Sequence, residues 1–324
     1  MDDRDKMLLT EVQRRFPLET RPYEALAQRL SLTEKEVLER LQKLKKEGIL
    51  RQISAIFNPQ ALGYQTTLVA AEIPQERLSK AVKVINAYPG VSHNYLRDHL
   101  FNIWFTIAVP PGEDLETVLA SLLSQAGVKN YLPLPIKKVF HIAVVHDLGP
   151  ENGAEEEKNI SPGGSIKSIP PDARTISLVR LTQEDLPRVE RPFLALAQKG
   201  GFTEEEILSW LKKGLETGIV RRFAGLVRHT KAGVRGNIMV AWKVPAEELE
   251  TIGKNFSREK KITHCYERLS YPSWPYNLYT MVHGKDEKEA LKTVKDLALR
   301  FGLTDYLPLV TLKELKKTRL KLFW

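Results

Sequence analysis

Apolar residues between positions 5 and 50 recur at helical spacing: Met7, Leu8 and Val12, then Leu26, Ala27 and Leu30, then Val37, Leu38, Leu41 and Leu44. This periodicity predicts three helices. Thr33 followed by Glu36 forms a capping box that opens the third, and Gly48 fits its C-terminal stop. The short turn Ser31-Leu32-Thr33 between helices two and three is the arrangement of a helix-turn-helix module. The period then falls to two. Ile53, Ala55 and Phe57 lead into a strand at Thr66–Ile73, followed by a helix from Gln75 to Ala87, strands at Val91–Arg97 and Asn102–Val109, a helix from Glu113 to Gln125, and an extended segment around Tyr131–Leu134. Strand, helix, strand, strand, helix, strand is the order of a ferredoxin-like unit, one sheet with helices on one side. Phe101, Ile103, Phe105 and Ile107 are expected to meet those helices, and Asn102, Trp104 and Thr106 to look out from the open face.

The whole pattern occurs twice. R-P-Y-E-A-L-A-Q at Arg21 returns as R-P-F-L-A-L-A-Q at Arg191, V-S-H-N-Y-L-R at Val91 as T-H-C-Y-E-R at Thr263, and Y-L-P-L at Tyr131 as Y-L-P-L at Tyr306. Between Arg268 and Asn277 the second copy gains four residues, and its loop L-S-Y-P-S-W-P-Y carries Tyr271, Trp274 and Tyr276. Rigid aromatics there are suited to lie against a flat ligand, although tucking onto their own domain is the commoner use. Residues 149–173, rich in Pro, Gly, Ser and charge, have the composition of a flexible linker. The expected fold class is α+β, a tandem repeat of helix-turn-helix (winged-helix-like) module and ferredoxin-like βαββαβ domain whose halves pair through their sheets. The boundaries are 1–58, 59–148, the linker 149–173, 174–228 and 229–324.

Strand geometry puts His93, Tyr95 and Arg97 on one face, and likewise His264, Tyr266 and Arg268. An imidazole, a phenol and a guanidinium together indicate recognition rather than a solvated edge, and their recurrence strengthens that reading. The formal charge of +9 favours polyanionic partners: nucleic acid, acidic lipid, or a small molecule bearing several carboxylates. The single cysteine, Cys265, excludes an internal disulfide framework and a site of several thiolates, and reads as a small buried side chain. There is no run of eighteen apolar residues, and the charged start M-D-D-R-D-K-M lacks a following apolar stretch, so the expectation is a soluble cytoplasmic protein without membrane contact.

A helix-turn-helix followed by a ferredoxin-like domain resembles the leucine-responsive (Lrp/AsnC) family of transcription regulators. The particular motifs resemble an enzymatic branch, the siroheme decarboxylases, whose two homologous subunits act as a pair. G-V-S-H-N-Y-L-R followed by F-N-I-W-F-T is similar to one subunit. R-F-A-G-L-V-R-H, then G-N-I-M-V-A-W-K-V-P, H-C-Y-E-R and W-P-Y-N-L-Y-T-M-V-H-G are similar to the other. The chain resembles a natural fusion of the two, an intramolecular pseudo-heterodimer with further homo-oligomerisation left open. The resemblance implies removal of the C12 and C18 acetate carboxyls of siroheme to give 12,18-didecarboxysiroheme, in an alternative route to heme or to a modified heme. It implies no added cofactor, the siroheme iron belonging to the substrate.

Such a ligand combines a flat ring with several carboxylates, so its site calls for arginines and lysines beside aromatic surface. Arg97, Arg221, Arg222, Arg228, Lys231, Arg235 and Arg268 are the cationic candidates, with Tyr95, Asn102, Trp104, Tyr266, Trp274, Tyr276 and Asn277 as further contacts. Loss of carbon dioxide from a pyrrole acetate leaves electron density that must be protonated at carbon, which calls for a positioned acid. His93, His229 and His264 are the candidates, and any of them could instead contact the iron axially. His283 is an outside candidate, whereas His99, His141 and His146 lack a partner at productive spacing. One principal site is expected, nearer the second half, which owns the aromatic insertion and His229.

Two other functions fit the pattern: a DNA-binding regulator sensing a small molecule, and a heme-binding sensor without catalysis. The third helices open T-E-K-E and T-E-E-E, placing Glu34, Glu36, Glu204, Glu205 and Glu206 where a DNA reader presents donors. Glutamates there also suit a helix N-terminus. Duplex DNA is therefore expected to bind only weakly and without sequence preference at physiological salt. Footprinting on the upstream region checks this, and a protected palindrome at nanomolar affinity would establish the regulator instead.

Overall fold

The computed structural model describes residues 1–142, 171–227 and 236–324. In the first half, α1 (Asp3–Arg14), α2 (Pro22–Leu30) and α3 (Glu34–Lys46) precede β1 (Leu50–Phe57). The sheet domain follows as β2 (Gln65–Glu72), α4 (Gln75–Ala87), β3 (Val91–Arg97), β4 (Ile103–Val109), α5 (Leu115–Gln125) and β5 (Asn130–Leu134), and then β6 (Ile136–Ile142). The second half repeats this as α6 (Ala173–Thr182), α7 (Pro192–Gly200), α8 (Glu204–Thr217), β7 (Val220–Val227), β8 (Gly236–Trp242), α9 (Leu249–Ser257), β9 (Ile262–Arg268), β10 (Leu278–Gly284), α10 (Glu287–Arg300), β11 (Tyr306–Leu309) and β12 (Thr311–Lys317).

Local chemistry explains the helical modules. Pro22 and Pro192 open α2 and α7, where a missing N–H costs nothing. Thr33 with Glu36, and Thr203 with Glu206, close reciprocal capping boxes at α3 and α8. The two modules do not stand apart: Leu8, Leu26 and Leu41 of one and Val179, Leu196 and Leu211 of the other belong to a single apolar core. Strands β1 and β7 pair antiparallel across it, Ala55 opposite Phe223 and Ile53 opposite Gly225. A Cβ at Gly225 would lie 2.4 Å from Val12 Cγ1, so glycine is what lets β7 reach α1.

The ferredoxin-like order holds in both halves, with one addition that periodicity did not reveal. The two five-stranded sheets run β12-β3-β4-β2-β5 and β11-β8-β10-β9-β6, so each half lends its last strand to the other. Strands β5 and β6 are separated only by Pro135, and β11 and β12 only by Val310. At those single residues the chain steps from one sheet to the other. The lent strands, I-K-K-V-F-H-I and T-L-K-E-L-K-K, are too polar to announce a core role, and their partners β9 and β3 are remote in sequence.

Val69, Ile103, Phe105 and Ile107 turn toward α4 and α5, and Val240, Cys265 and Val282 toward α9 and α10. The opposite faces meet each other. Leu68, Ala70, Trp104 and Leu132 pack with Met239, Ala241, Tyr279 and Leu309 in an apolar layer between the sheets. Phe101, expected against the helices, lies in this layer instead, because it precedes β4 in the connection and is free of the strand's alternation. Trp104 is 1% exposed and Trp274 3%. Truncating a tryptophan buried to that degree costs on the order of 3–5 kcal/mol, so this layer is a principal bond between the halves.

Exchange of β6 and β12, together with the shared helical core, leaves neither half a complete fold. Polypeptides 1–148 and 171–324 are expected to form a stable complex when co-expressed, and each to be insoluble or unfolded alone. Size exclusion and circular dichroism check this; either half folding as a stable monomer would contradict it.

Candidate active site

Register shifts interrupt β3 between Val91 and His93, and β9 between Ile262 and His264. Each is a bulge that turns two consecutive side chains to one side of the sheet. In the first copy Ser92 Oγ lies 2.9 Å from His93 Nδ1 and 3.0 Å from Thr106 Oγ1. In the second, Thr263 Oγ1 lies 2.9 Å from His264 Nδ1 and 2.6 Å from His283 Nε2. Both imidazoles are thus oriented by a hydroxyl from the preceding residue, but only the second hydroxyl bridges two imidazoles. Ser92 and Thr263 were missed as site residues although a hydroxyl residue precedes histidine in both motifs, S-H and T-H, which is the signal that marks them.

Alternation holds along the rest of each strand. The His93 ring stacks with Tyr95 at 6.4 Å, and the Arg97 guanidinium sits 5.4 Å from the Tyr95 centroid. His264 and Tyr266 are 6.0 Å apart, and Arg268 lies 5.2 Å from the Tyr266 ring and 5.7 Å from Tyr279. Burial, reinforced by Lys317 and Arg51, pushes the His93 pKa down to about 4, so the imidazole is neutral at pH 7. Burial, with Glu314 adding to it, lifts Tyr95 to about 12 and keeps its phenol protonated. Burial also lowers Arg97 and Arg268, each to about 10. Neither change of the arginines removes their charge near neutrality. A neutral imidazole is the state that accepts a proton or ligates iron, and it becomes an acid only when arriving anions raise its pKa. Arg51, Lys317 and Glu314 carried no sequence signal, because their strands reach the site through pairings distant along the chain.

Several expected contacts have other employment. Asn102 donates to Ile73 O at 2.8 Å while its Oδ1 accepts from Ile73 N, and Asn277 does the same with Val244. These amides clamp the ends of neighbouring strands, each bonding a backbone N–H and C=O. Trp104 donates to Phe101 O, and Trp274 to the Tyr279 hydroxyl, both inside the layer between the sheets. Tyr276 packs against Trp274 at 5.0 Å, and the Tyr271 hydroxyl donates to Pro133 O of the other half. The insertion is therefore a clasp between the halves rather than a wall for a flat ring, because buried aromatic area is worth more against a ready apolar face than in solvent. It removes one of the two reasons for placing the site in the second half. The other, His229, lies outside the described residues, as do Arg228, Lys231, Arg235 and His146. His99 accepts from Phe101 N and meets Trp274, a structural role. His141, on β6, sits opposite Cys265.

On β7, Arg221 donates to Asn58 Oδ1 at 3.3 Å and its charge is felt at Tyr266. Arg222, next along the strand, is opposite Ile56. A cavity of about 110 Å³ is lined by Thr66, Ser92 and Thr106 of the first sheet and by Arg268, Ile136 and Leu320. That volume is well below the roughly 300–1,000 Å³ of sites for larger ligands, so it admits no macrocycle. Among the described residues no group of three or more His, Cys, Asp or Glu side chains could hold a metal ion.

Comparison with known proteins supplies independent findings. A family model described as the AsnC-like ligand binding domain matches residues 61–141 and 231–316, and one described as the siroheme decarboxylase NirDL-like HTH domain matches 5–51 and 176–221. The chain is 35% identical to a siroheme decarboxylase of Hydrogenobacter thermophilus over 98% of its own length and 94% of the relative's. It is 45% identical to a siroheme decarboxylase alpha subunit of Desulfovibrio desulfuricans over 44% of this chain and 83% of that protein. Among solved structures, it is similar to the siroheme decarboxylase NirDL in co-complex with an iron-uroporphyrin III analogue, with a TM-score of 0.80, 31% identity, and coverage of 98% of this chain and 94% of that one. The expected α+β architecture of two repeated halves, and the fusion of two subunits, are borne out.

The depressed His93 pKa has a consequence for stability. Between the ordinary histidine value near 6.5 and about 4, the unfolded chain binds a proton that the folded one refuses, so acidification favours unfolding. Thermal stability is expected to fall as pH drops through that window. His93→Gln should flatten this segment of the profile in a Tm series from pH 7.5 to 4; an unchanged profile would mean that His93 is not the group held neutral.

Proposed function

The chain belongs to the siroheme decarboxylase family, and from that premise we propose that it binds siroheme through its paired sheet domains and removes the C12 and C18 acetate carboxyls. One observation carries this reading: 35% identity runs along 98% of the chain and 94% of the relative, so both halves and their order are kept.

Each step breaks the bond between the acetate methylene and its carboxylate, releases carbon dioxide, and leaves an electron pair on the methylene carbon, delocalised into the pyrrole. One proton at that carbon completes a methyl group. His264 is our candidate donor in the second half, with Thr263 linking it to His283 as a second imidazole, and His93 in the first. A substrate bearing several carboxylates would offset Lys317 and Arg51 and raise the His93 pKa toward the range where it can deliver a proton. Tyr95, Tyr266 and Arg221 complete the polar surround, with Arg222, Arg228, His229, Lys231 and Arg235 in reserve on and after β7. The iron arrives with the substrate, and we propose no added cofactor.

The regulator reading is the weaker one. The helix-turn-helix model that fits is the siroheme decarboxylase type, and the acids that open α3 and α8 have partners within the protein: Glu34 with Arg21, Glu204 with Arg191, Glu36 and Glu206 in capping boxes. We propose that these modules bind no specific DNA and serve to join the halves. No helix among the described residues is long and apolar enough to cross a membrane; the cytoplasm remains our proposal for where the reaction runs, with assembly beyond the pseudo-dimer open.

Anaerobic incubation with siroheme is expected to yield a product lighter by two molecules of carbon dioxide, read by mass spectrometry. His264→Ala should slow product formation by on the order of a hundredfold or more while siroheme still binds, and an acid serving only one acetate would leave the mono-decarboxylated species to accumulate. If His93→Ala, His229→Ala and His264→Ala all turn over at the unmodified rate, the proton donor is none of them.

A further inference from the structure

Arg97 and Arg268 are equivalent in the two copies, and their differences are informative. The Arg97 guanidinium donates to Leu309 O at 2.6 Å and to the Thr311 hydroxyl at 3.0 Å. Arg268 donates to Leu134 O at 2.6 Å. The residue paired with it across the strands is Ile136, where Arg97 has Thr311. A hydroxyl acceptor has been replaced by an aliphatic side chain. Arg268 is 7% exposed, its Nε, like that of Arg97, has no hydrogen-bond partner, and no Asp or Glu among the described residues forms an ion pair with it. Other sheltered arginines have carboxylates or several acceptors, although the Arg188 Nε is unpaired as well. Arg40 meets Asp2 and Asp5, Arg188 meets Asp185, and Arg319 donates to Ser54, Ala55 O and Gln183 O.

This buried guanidinium has one neutral acceptor and two tyrosine rings beside it, but no carboxylate to balance its charge. Arg268 lines the cavity of about 110 Å³ together with Thr66, Ser92, Thr106, Ile136 and Leu320, and the Ser92 hydroxyl is engaged by His93 and Thr106. At roughly 30 Å³ per water molecule, it has the room of three to four waters. That suits one planar anion accepting from a guanidinium, the group by which arginine recognises carboxylates, and from threonine hydroxyls of the same lining.

We propose that this cavity is a binding site for a single carboxylate group, held by Arg268 and the hydroxyls of Thr66 and Thr106, with Ser92 bridging Thr106 to His93. The carboxylate is either a free small acid of the size of formate or acetate, or one arm of a larger molecule whose body stays outside. The site stands on geometry alone and does not require the decarboxylase reading.

The test uses the full chain without tetrapyrrole, titrated with sodium formate and sodium acetate against sodium chloride at equal ionic strength, by calorimetry and thermal shift. Formate is expected to raise Tm saturably at millimolar concentration where chloride does not. Thr106→Val, which removes a hydroxyl at nearly constant volume, and Ile136→Thr, which gives Arg268 the internal acceptor Arg97 already has, should each weaken formate at least tenfold. Equal shifts with formate and chloride would overturn the proposal, as would formate affinity unchanged in both variants. Siroheme separates the two sources. If saturating siroheme excludes formate, the site takes an arm of that ligand; if the two bind together, it takes a free carboxylate.

Discussion

Two single-residue crossings constrain everything else. At Pro135 and Val310 the chain leaves one sheet and enters the other, and each crossing is fastened by a buried arginine, Arg268 to Leu134 O and Arg97 to Leu309 O. The backbone next to each crossing is tied as well, Leu269 N to Pro135 O and Asp98 N to Val310 O. A strand cannot be shared between sheets unless the sheets are held face to face at fixed offset. The apolar layer of Leu68, Trp104, Met239 and Tyr279 is thereby forced closed, and the polar strand face bearing histidine and tyrosine is set at its margin. Using charged arginine rather than an apolar plug at a crossing is expensive in burial, and the histidine, tyrosine and arginine of each motif are consequently one unit in which the last member fixes where the first two stand.

The near-symmetry of the two copies is broken at a few positions, and several of them adjoin the histidines. Thr106, opposite His93, has Met281 in its place opposite His264. The Ser92 hydroxyl ends its chain at Thr106, whereas Thr263 passes on to His283, a group that can itself carry a proton. The aromatic insertion exists once, and Trp274 spends it on His99, Phe101 and Trp104 of the first half. A duplicated unit needs only such substitutions to give one copy a hydroxyl bridging two imidazoles and the other a hydroxyl pair, the sheets and helices around them being of the same order.

Much of this was legible in the residues because it is local. The helix spacing of Val37, Leu41 and Leu44, the Thr33 to Glu36 cap and the alternation of His93, Tyr95 and Arg97 are all set by neighbours within a few positions. The exchange of β6 and β12 was not legible, since K-K-V-F-H and L-K-E-L-K acquire meaning only beside strands more than a hundred residues away. The same cause hid Arg51, Lys317 and Glu314 from the site. Asn102 and Asn277 misled for the opposite reason: they lie at a strand entrance facing the right way, but an amide there has a backbone N–H and C=O within reach and satisfies them.

The helix-turn-helix modules fit into this picture through their last strands. Arg51 on β1 and Arg221 on β7 occupy corresponding places in the repeat, and each acts on the sheet domain of its own half, Arg51 on His93 and Arg221 on Tyr266. For those charges to reach the sheets, β1 and β7 must be held where they are, and their mutual pairing over the common core of the six helices holds them. The starts of α3 and α8 are engaged by the ion pairs Arg21 to Glu34 and Arg191 to Glu204. A module built this way holds a cationic strand beside the face that bears histidine and tyrosine, and that placement gives a physical reason for its presence.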